Sequence, residues 1–250
     1  MVQPAMPLTE RPVDAETRAL LAPTGTLRVG VYPGGPTSLV RNAKTGEEAG
    51  LARDLGFALG EQLGLAVELV RFSRAADVVE AVRDGQVDFT VTNASEARAR
   101  IVDFTPAIVQ LELGYLVPTG SPIASVADVD RPGMRIGVTQ GSTSQGTLGR
   151  QFKSASIVPA ASMQAAKEML RQRAIDAFAT NKAILFELSD EVPQTHVLEG
   201  RWGLEHLAIA IPKGRTQALP FLAQFAQDMR ASGRLQAMIA RAGLRGTAPD

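Results

Sequence analysis

Cysteine is absent from all 250 residues, which excludes disulfides, thiolate nucleophiles, zinc–thiolate sites and a lipoprotein anchor within this sequence. Histidine is scarce as well. His196 and His206 are the whole supply, too few to suggest a histidine-based metal site. Net charge is missing, because 26 Lys+Arg offset 26 Asp+Glu, so there is no global basic field of the kind that nucleic-acid binders use. Long apolar runs are also lacking. The best stretch, 101–117, is interrupted by Asp103, Gln110 and Glu112, short of the roughly 20 residues a bilayer span needs. Residues 1–12 show no basic-then-apolar leader, so the chain is expected either to be trimmed or not to be exported by that route.

What is there reads as a globular protein. With 45% hydrophobic and 21% charged residues, the chain is neither disordered nor membrane-embedded. Its length suits one large α/β unit or two lobes of about 100–150 residues each. Residues 1–13 form a Pro-rich, loose arm, and Asp14 caps a short helix through Leu21. A strand at 27–31 runs into the glycine- and proline-rich loop 32–38. Helical spacing of Leu51, Leu55, Ala58, Leu59 and Leu63 follows, closed by Gly64. A strand at 67–72, a helix at 75–83 and a strand at 87–92 complete a β-α-β-α-β series, which favours a largely parallel sheet.

The same design returns later. Met134-Arg135-Ile136-Gly137-Val138 echoes Leu27-Arg28-Val29-Gly30-Val31, and 161–171 supplies a helix. Ile175-Asp176-Ala177-Phe178-Ala179-Thr180-Asn181 echoes Val87-Asp88-Phe89-Thr90-Val91-Thr92-Asn93. The unequal separations of the two echoes exclude a tandem repeat. Two similar lobes with a cleft between them are expected instead. A strand at 208–211 and a long amphipathic helix at 218–235 follow, and the tail to Leu244 must dock somewhere.

In open parallel sheets ligands bind beyond the carboxyl ends of the strands. Those ends here are the loops 32–38, 92–98, 139–144 and 180–182. Gln140-Gly141-Ser142-Thr143-Ser144 opens a helix, so its N–H groups and hydroxyls suit an anionic or carbonyl oxygen; ordinary N-capping by Ser142 or Thr143 explains the same residues. Ser95 is placed to cap a turn that aims Arg98 into the cleft, where a guanidinium binds a carboxylate through two parallel hydrogen bonds. A solvated arginine, as at Arg100, is the other reading. There is no Gly-x-Ser-x-Gly elbow, His206 precedes a strand as a structural or hinge residue, and Asp88 and Asp176 suit edge or turn roles. No catalytic set emerges, so ligand binding, rather than enzymatic turnover, is expected. Trp202 either lines the cleft or packs the hinge, with packing favoured.

The segment from Thr92, ending Arg98-Ala99-Arg100-Ile101-Val102-Asp103-Phe104-Thr105-Pro106, resembles the Thr-x-x-Arg, Asp-Phe-Ser/Thr-x-Pro-Tyr pattern of the family 3 bacterial extracellular solute-binding proteins, the periplasmic amino-acid receptors of ABC importers. Gly50-Leu51-Ala52-Arg53-Asp54-Leu55, Gly137-Val138-Thr139-Gln140-Gly141-Ser142-Thr143 and the strand at 208–213 are similar to three further motifs of that family, in order. The resemblance implies an α/β, two-lobed periplasmic-binding-protein-like fold of type II: two similar α/β lobes joined by two crossing strands, hinged to close on a ligand. It implies an arm and short helix at 1–26, a first lobe at 27–109 plus 208–250, and a second at 110–207.

Carried over residue by residue, Arg98 grips a ligand carboxylate with help from Asn93 and Thr92. Gln140, Ser142 and Thr143 are the second lobe's carboxylate contacts. Where the family holds an α-ammonium with an aspartate, this chain has Asn181, an amide in place of a full charge. Ligands without an ammonium, such as small organic acids, are therefore expected to compete well with amino acids. Near Ser38 the family stacks an aromatic on the ligand, and Tyr32 is the nearest substitute. No cofactor and no metal are expected. The expected partners are a small carboxylate-bearing ligand and an ABC permease, with no nucleic acid, on a monomer that is not membrane-embedded. The resemblance implies the periplasm, with the cytoplasm left open by the missing leader. An enzyme on the same scaffold, like cyclohexadienyl dehydratase, and a non-transport ligand sensor are the alternatives.

Overall fold

A computed structural model describes residues 13–248; apart from Val13, the arm expected at 1–13 lies outside the described residues. Helix α1 (Ala15–Leu21) begins where the Asp14 carboxylate accepts the Thr17 N–H at 2.7 Å. β1 (Leu27–Val31) is followed by a small hairpin, β2 (Val40–Arg41) and β3 (Glu48–Ala49). α2 (Leu51–Leu63) stops at Gly64 as its spacing predicts, and β4 (Val67–Arg71) returns parallel to β1. α3 (Ala75–Arg83), β5 (Thr90–Asn93), the single turn α4 (Glu96–Ala99) and β6 (Val102–Phe104) lead to the long strand β7 (Val109–Pro118). Beyond it β8 (Arg135–Thr139), α5 (Thr143–Gln151), β9 (Ser156–Ala160), α6 (Met163–Arg171), β10 (Ala177–Asn181), α7 (Lys182–Glu191) and β11 (Thr195–Val197) repeat the α/β pattern. A second long strand, β12 (Gly203–Pro212), returns, and α8 (Leu219–Ala231) and α9 (Arg234–Ala242) finish the helices.

Two strands join the lobes. β7 and β12 run antiparallel from the pair Leu113 and Gly203 to the pair Val109 and Leu207. Beyond that zone they diverge: β12 pairs with β5 and β6, while β7 pairs with β10 and β11. Each strand therefore belongs to both lobes, and rotation about their shared segment is the hinge.

The cores follow the same division. Leu27, Leu55 and Phe89 share one cluster with Ile209, Leu222, Phe225 and Met229. The chain's last third thus completes the lobe that its first third began, and Leu21 and Ala22 beside α1 are buried in it too. Ile136, Val138, Phe178, Leu170 and Leu185 fill two clusters of the other lobe. Burying such side chains is worth about 1.5–3 kcal/mol each, which is why the apolar faces of the helices pack onto the sheets.

The two echoes read from the sequence are the same clamp built twice. In the first lobe the Asp88 carboxylate accepts from the Arg28 N–H at 3.0 Å and from its guanidinium at 3.0 and 2.8 Å, with Arg215 adding a bond at 2.9 Å. In the second, Asp176 accepts from the Arg135 N–H at 2.8 Å and from its guanidinium at 3.2 and 3.1 Å. Both aspartates sit in bends just before β5 and β10, in keeping with the edge or turn role expected of them, and the clamps add an ion pair at each turn. Each ties the entry of one strand to the next, because a buried carboxylate requires charged or N–H partners.

Two expectations need correction. The helix expected at 218–235 is broken at Gly233, whose φ of 78° places it in the left-handed region and separates α8 from α9. The return strand expected at 208–211 begins at Gly203, because its first residues pair with β7 rather than enter the apolar core. The C-terminal tail docks on the hinge: Glu112 N–H donates to the Gly246 carbonyl at 2.9 Å, and Arg245 reaches Asp190 on α7 at 2.6 Å. No described helix is long and apolar enough to cross a membrane.

Candidate functional site

Between the lobes lies a cavity of about 50 Å³. The strand ends and helix starts named in the sequence supply most of its wall. Ser95 caps α4, its hydroxyl accepting the Arg98 N–H at 3.2 Å. This turn sends the Arg98 side chain inward, where the residue is 9% exposed. Its Nη1 donates to Thr92 Oγ1 at 2.7 Å. Among the described residues no carboxylate lies within ion-pair distance of it. Burial lowers the guanidinium's pKa from its ordinary value, with Glu205 acting in the opposite direction. Arg100 instead points outward and pairs with Glu96 at 2.7 Å, both largely exposed.

Asn93, at the end of β5, reaches across the cleft. Its Nδ2 donates to Thr143 Oγ1 at 3.2 Å, and its Oδ1 accepts the His206 N–H at 2.9 Å. On the opposite wall Ser142 caps α5, accepting the Gln145 N–H at 3.1 Å. Capping and cavity lining thus coexist in this loop: Gln140, Ser142 and Thr143 all face the cavity. The Gln140 amide oxygen accepts from Arg74 of the first lobe at 3.2 Å, and Gly141, with φ of 75°, sits against Ala76. The two lobes are in contact around the cavity.

Tyr32 lines the cavity, its hydroxyl 3.3 Å from Thr37 Oγ1, and burial raises its pKa. Ser38 does not line it. Its hydroxyl, buried, accepts the Tyr32 N–H at 2.8 Å, so it shapes the loop that presents Tyr32, and Thr37 takes the wall position instead. Trp202 stands outside the cavity, its ring 6.2 Å from Tyr115 and its Nε1 donating to the Gly114 carbonyl at 3.0 Å. Lys182 turns away to Glu112 on β7, at 2.6 Å.

Asn181 ends β10 and caps α7. Its Oδ1 accepts the Ile184 N–H at 3.0 Å, and its Nδ2 donates to Glu205 Oε2 at 3.0 Å. Glu205 is the site residue that the sequence reading passed over. It lies on β12, is 7% exposed, and turns its carboxylate into the cavity, where Thr143 Oγ1 is 3.5 Å away. Burial pushes its pKa above the ordinary carboxylate value, while Arg98, Asn181 and Thr143 pull it back. A signal existed: side chains alternate along a strand, and counting back two from buried Leu207 places Glu205 inward and His206 outward.

The chain is 23% identical over 199 residues to the ABC transporter glutamine-binding protein GlnH of Bacillus subtilis (strain 168), covering 78% of this chain and 72% of that protein. It superposes on the crystal structure of the solute receptor for L-cysteine of Neisseria gonorrhoeae with a TM-score of 0.79 and 26% identity, over 90% of this chain and 92% of that one. An ancestral amino-acid-binding protein, described as a precursor of cyclohexadienyl dehydratase, shares the fold, with a TM-score of 0.77 at 22% identity over 90% and 98% of the two chains. The sequence profile of one family matches residues 27–243, and the chain belongs to it: the bacterial extracellular solute-binding proteins, family 3.

Proposed function

We propose that this protein is the capture subunit of an ABC importer for a small amino acid or related carboxylate, delivering it to a membrane permease from outside the cytoplasm. The first lobe comprises 27–109 with 208–250, and the second 110–207. The observation that carries the reading is Arg98, a buried guanidinium that faces the interlobe cavity with a hydroxyl as partner and, among the described residues, no carboxylate within ion-pair distance. A buried cation without a direct ion-pair partner is costly, and a ligand carboxylate supplies one through two parallel hydrogen bonds. Thr92, Asn93 and Thr143 surround the same space with further polar groups. Lobe contacts at Arg74–Gln140 and Asn93–Thr143 then hold the ligand inside.

The test is a thermal-shift panel of amino acids and their desamino acids on wild type and Arg98→Ala. At a hundred times Kd a ligand adds about 2.7 kcal/mol, a rise on the order of 5–10 °C for this length. Removing one member of a buried charge pair costs about 2–5 kcal/mol of affinity, so the variant is expected to lose the shift. An undiminished shift in Arg98→Ala refutes the carboxylate anchor. One observation favours a second reading, catalysis in the same cleft: Glu205 is a buried carboxyl with a raised pKa, the kind of group that serves as a general acid. Turnover of prephenate or arogenate decides for that reading, and its absence removes it.

A further inference from the structure

We infer that Glu205, on the hinge strand β12, holds the cationic group of the ligand, so that the cavity selects a zwitterion whose side chain carries no second positive charge. The inference rests on the capture of a carboxylate by Arg98. Among the described residues Glu205 is the sole acidic residue lining the cavity, and Arg98 and Glu205 face that space without forming an ion pair. Two opposite charges, each buried and neither in direct ion-pair contact with the other, match a molecule carrying both signs that bridges them. An ionised carboxylate offers about four lone-pair sites. Asn181 Nδ2 occupies one at 3.0 Å and Thr143 Oγ1 approaches another at 3.5 Å, which leaves acceptor capacity for an ammonium.

Asn181 does not take that place itself. Its carbonyl oxygen is engaged in capping α7 and its amide nitrogen in holding Glu205, which makes it a positioning residue for the carboxylate. The negative charge missing at position 181 is thus supplied from the hinge strand, 24 residues further along the chain. The wall offers nothing similar to a second cation, since its other charged side chains are Arg74 and Arg98. The apolar part of the wall, from Ala75, Ala76, Met163 and Ile184, suits an uncharged side chain.

The experiment is calorimetric titration of ligand-stripped full-length protein with glycine, alanine, serine, cysteine, glutamine and lysine, each beside its desamino acid. In wild type the tightest ligand is expected to be an amino acid with an uncharged side chain, at least tenfold tighter than its desamino acid, with lysine at least tenfold weaker. Glu205→Gln is expected to weaken that amino acid at least tenfold while leaving the desamino acid within threefold, which closes the gap. Desamino acids binding wild type as tightly as amino acids, or lysine binding tightest, overturn the inference without any variant. So does an unchanged gap in Glu205→Gln. Loss of both ligand classes in Arg98→Ala, with the desamino acid retained in Glu205→Gln, separates the two anchors. Equal binding of both classes by Arg98→Ala and wild type defeats the carboxylate reading instead.

Discussion

Glu205→Gln is expected to make the ligand-free protein more stable while it damages the site. Burial raises the Glu205 pKa above its ordinary value of 4.5. A carboxyl with a folded pKa above its unfolded one costs the folded state stability as it ionises. The loss therefore begins as pH rises through about 4.5 and is complete above the raised folded value; below 4.5 the group is protonated in both states and the loss vanishes. Glutamine copies the protonated form, accepting from Asn181 and donating to Thr143, and never ionises. A buried charged group short of partners costs about 1–3 kcal/mol, and 1 kcal/mol moves the melting temperature of a chain this size by about 2–4 °C. The variant is expected to melt about 2–12 °C above wild type at pH 8, with the difference shrinking toward zero at pH 4. Arg98 and Tyr32, the other ionisable groups facing Glu205, do not interfere, since the first stays charged and the raised pKa of the second keeps it neutral throughout this range. Differential scanning calorimetry of ligand-stripped protein from pH 4 to 8 reads the effect. A difference independent of pH, or a less stable variant at pH 8, refutes the reasoning.

The duplicated clamp and the contact between the lobes give further expectations. Asp88→Ala leaves Arg28 and Arg215 facing a fully buried gap and is expected to cost about 3–5 kcal/mol, whereas Asp176→Ala, whose partner Arg135 has a side chain 47% exposed, is expected to cost about 1–2 kcal/mol. Urea unfolding of the two variants followed by circular dichroism measures both, and equal losses would sink the comparison. A Cβ at Gly141 would lie 2.8 Å from the Ala76 Cβ across the cleft, so Gly141→Ala is expected to weaken ligand binding several-fold by opposing closure. Adding Ala76→Gly should restore the affinity, because it removes the clash and leaves the backbone strain at 141 in place; no rescue means closure does not bring these residues together.

Much of this architecture is legible in local pattern. α2 ends at Gly64 as its stop signal predicts and α3 spans the expected 75–83, because their apolar faces agree with the packing. The repeated Leu-Arg-Val-Gly-Val-like strand and the later aspartate are legible as an echo, and their contact explains why both recur. Arg98 is legible through Ser95, whose capping geometry fixes the direction of the arginine. Glu205 escapes because strand signals come from apolar runs, and the run begins at Leu207; the residues before it are held in β12 by pairing with β7, a partner about 90 positions away. Ser38 is misplaced for a related reason. Loop composition gives proximity to a site, but which hydroxyl turns inward depends on the Tyr32 N–H that Ser38 must satisfy.

The return of the chain to its first lobe has a consequence for the order of assembly. The second lobe's clusters draw on a continuous stretch and can close as soon as that stretch has left the ribosome. The first lobe waits: Arg234 meets Glu61 across 173 residues and Arg241 meets the Glu48 carbonyl across 193. Leu27, Leu55 and Phe89 stay without Leu222, Phe225 and Met229 until nearly the whole chain is made. Contacts of such separation form slowly and leave apolar surface open meanwhile. The lobe that carries Arg98 is begun first and finished last, and a chain cut short before α8 would leave its core without Leu222, Phe225, Met229, Leu235 and Leu244.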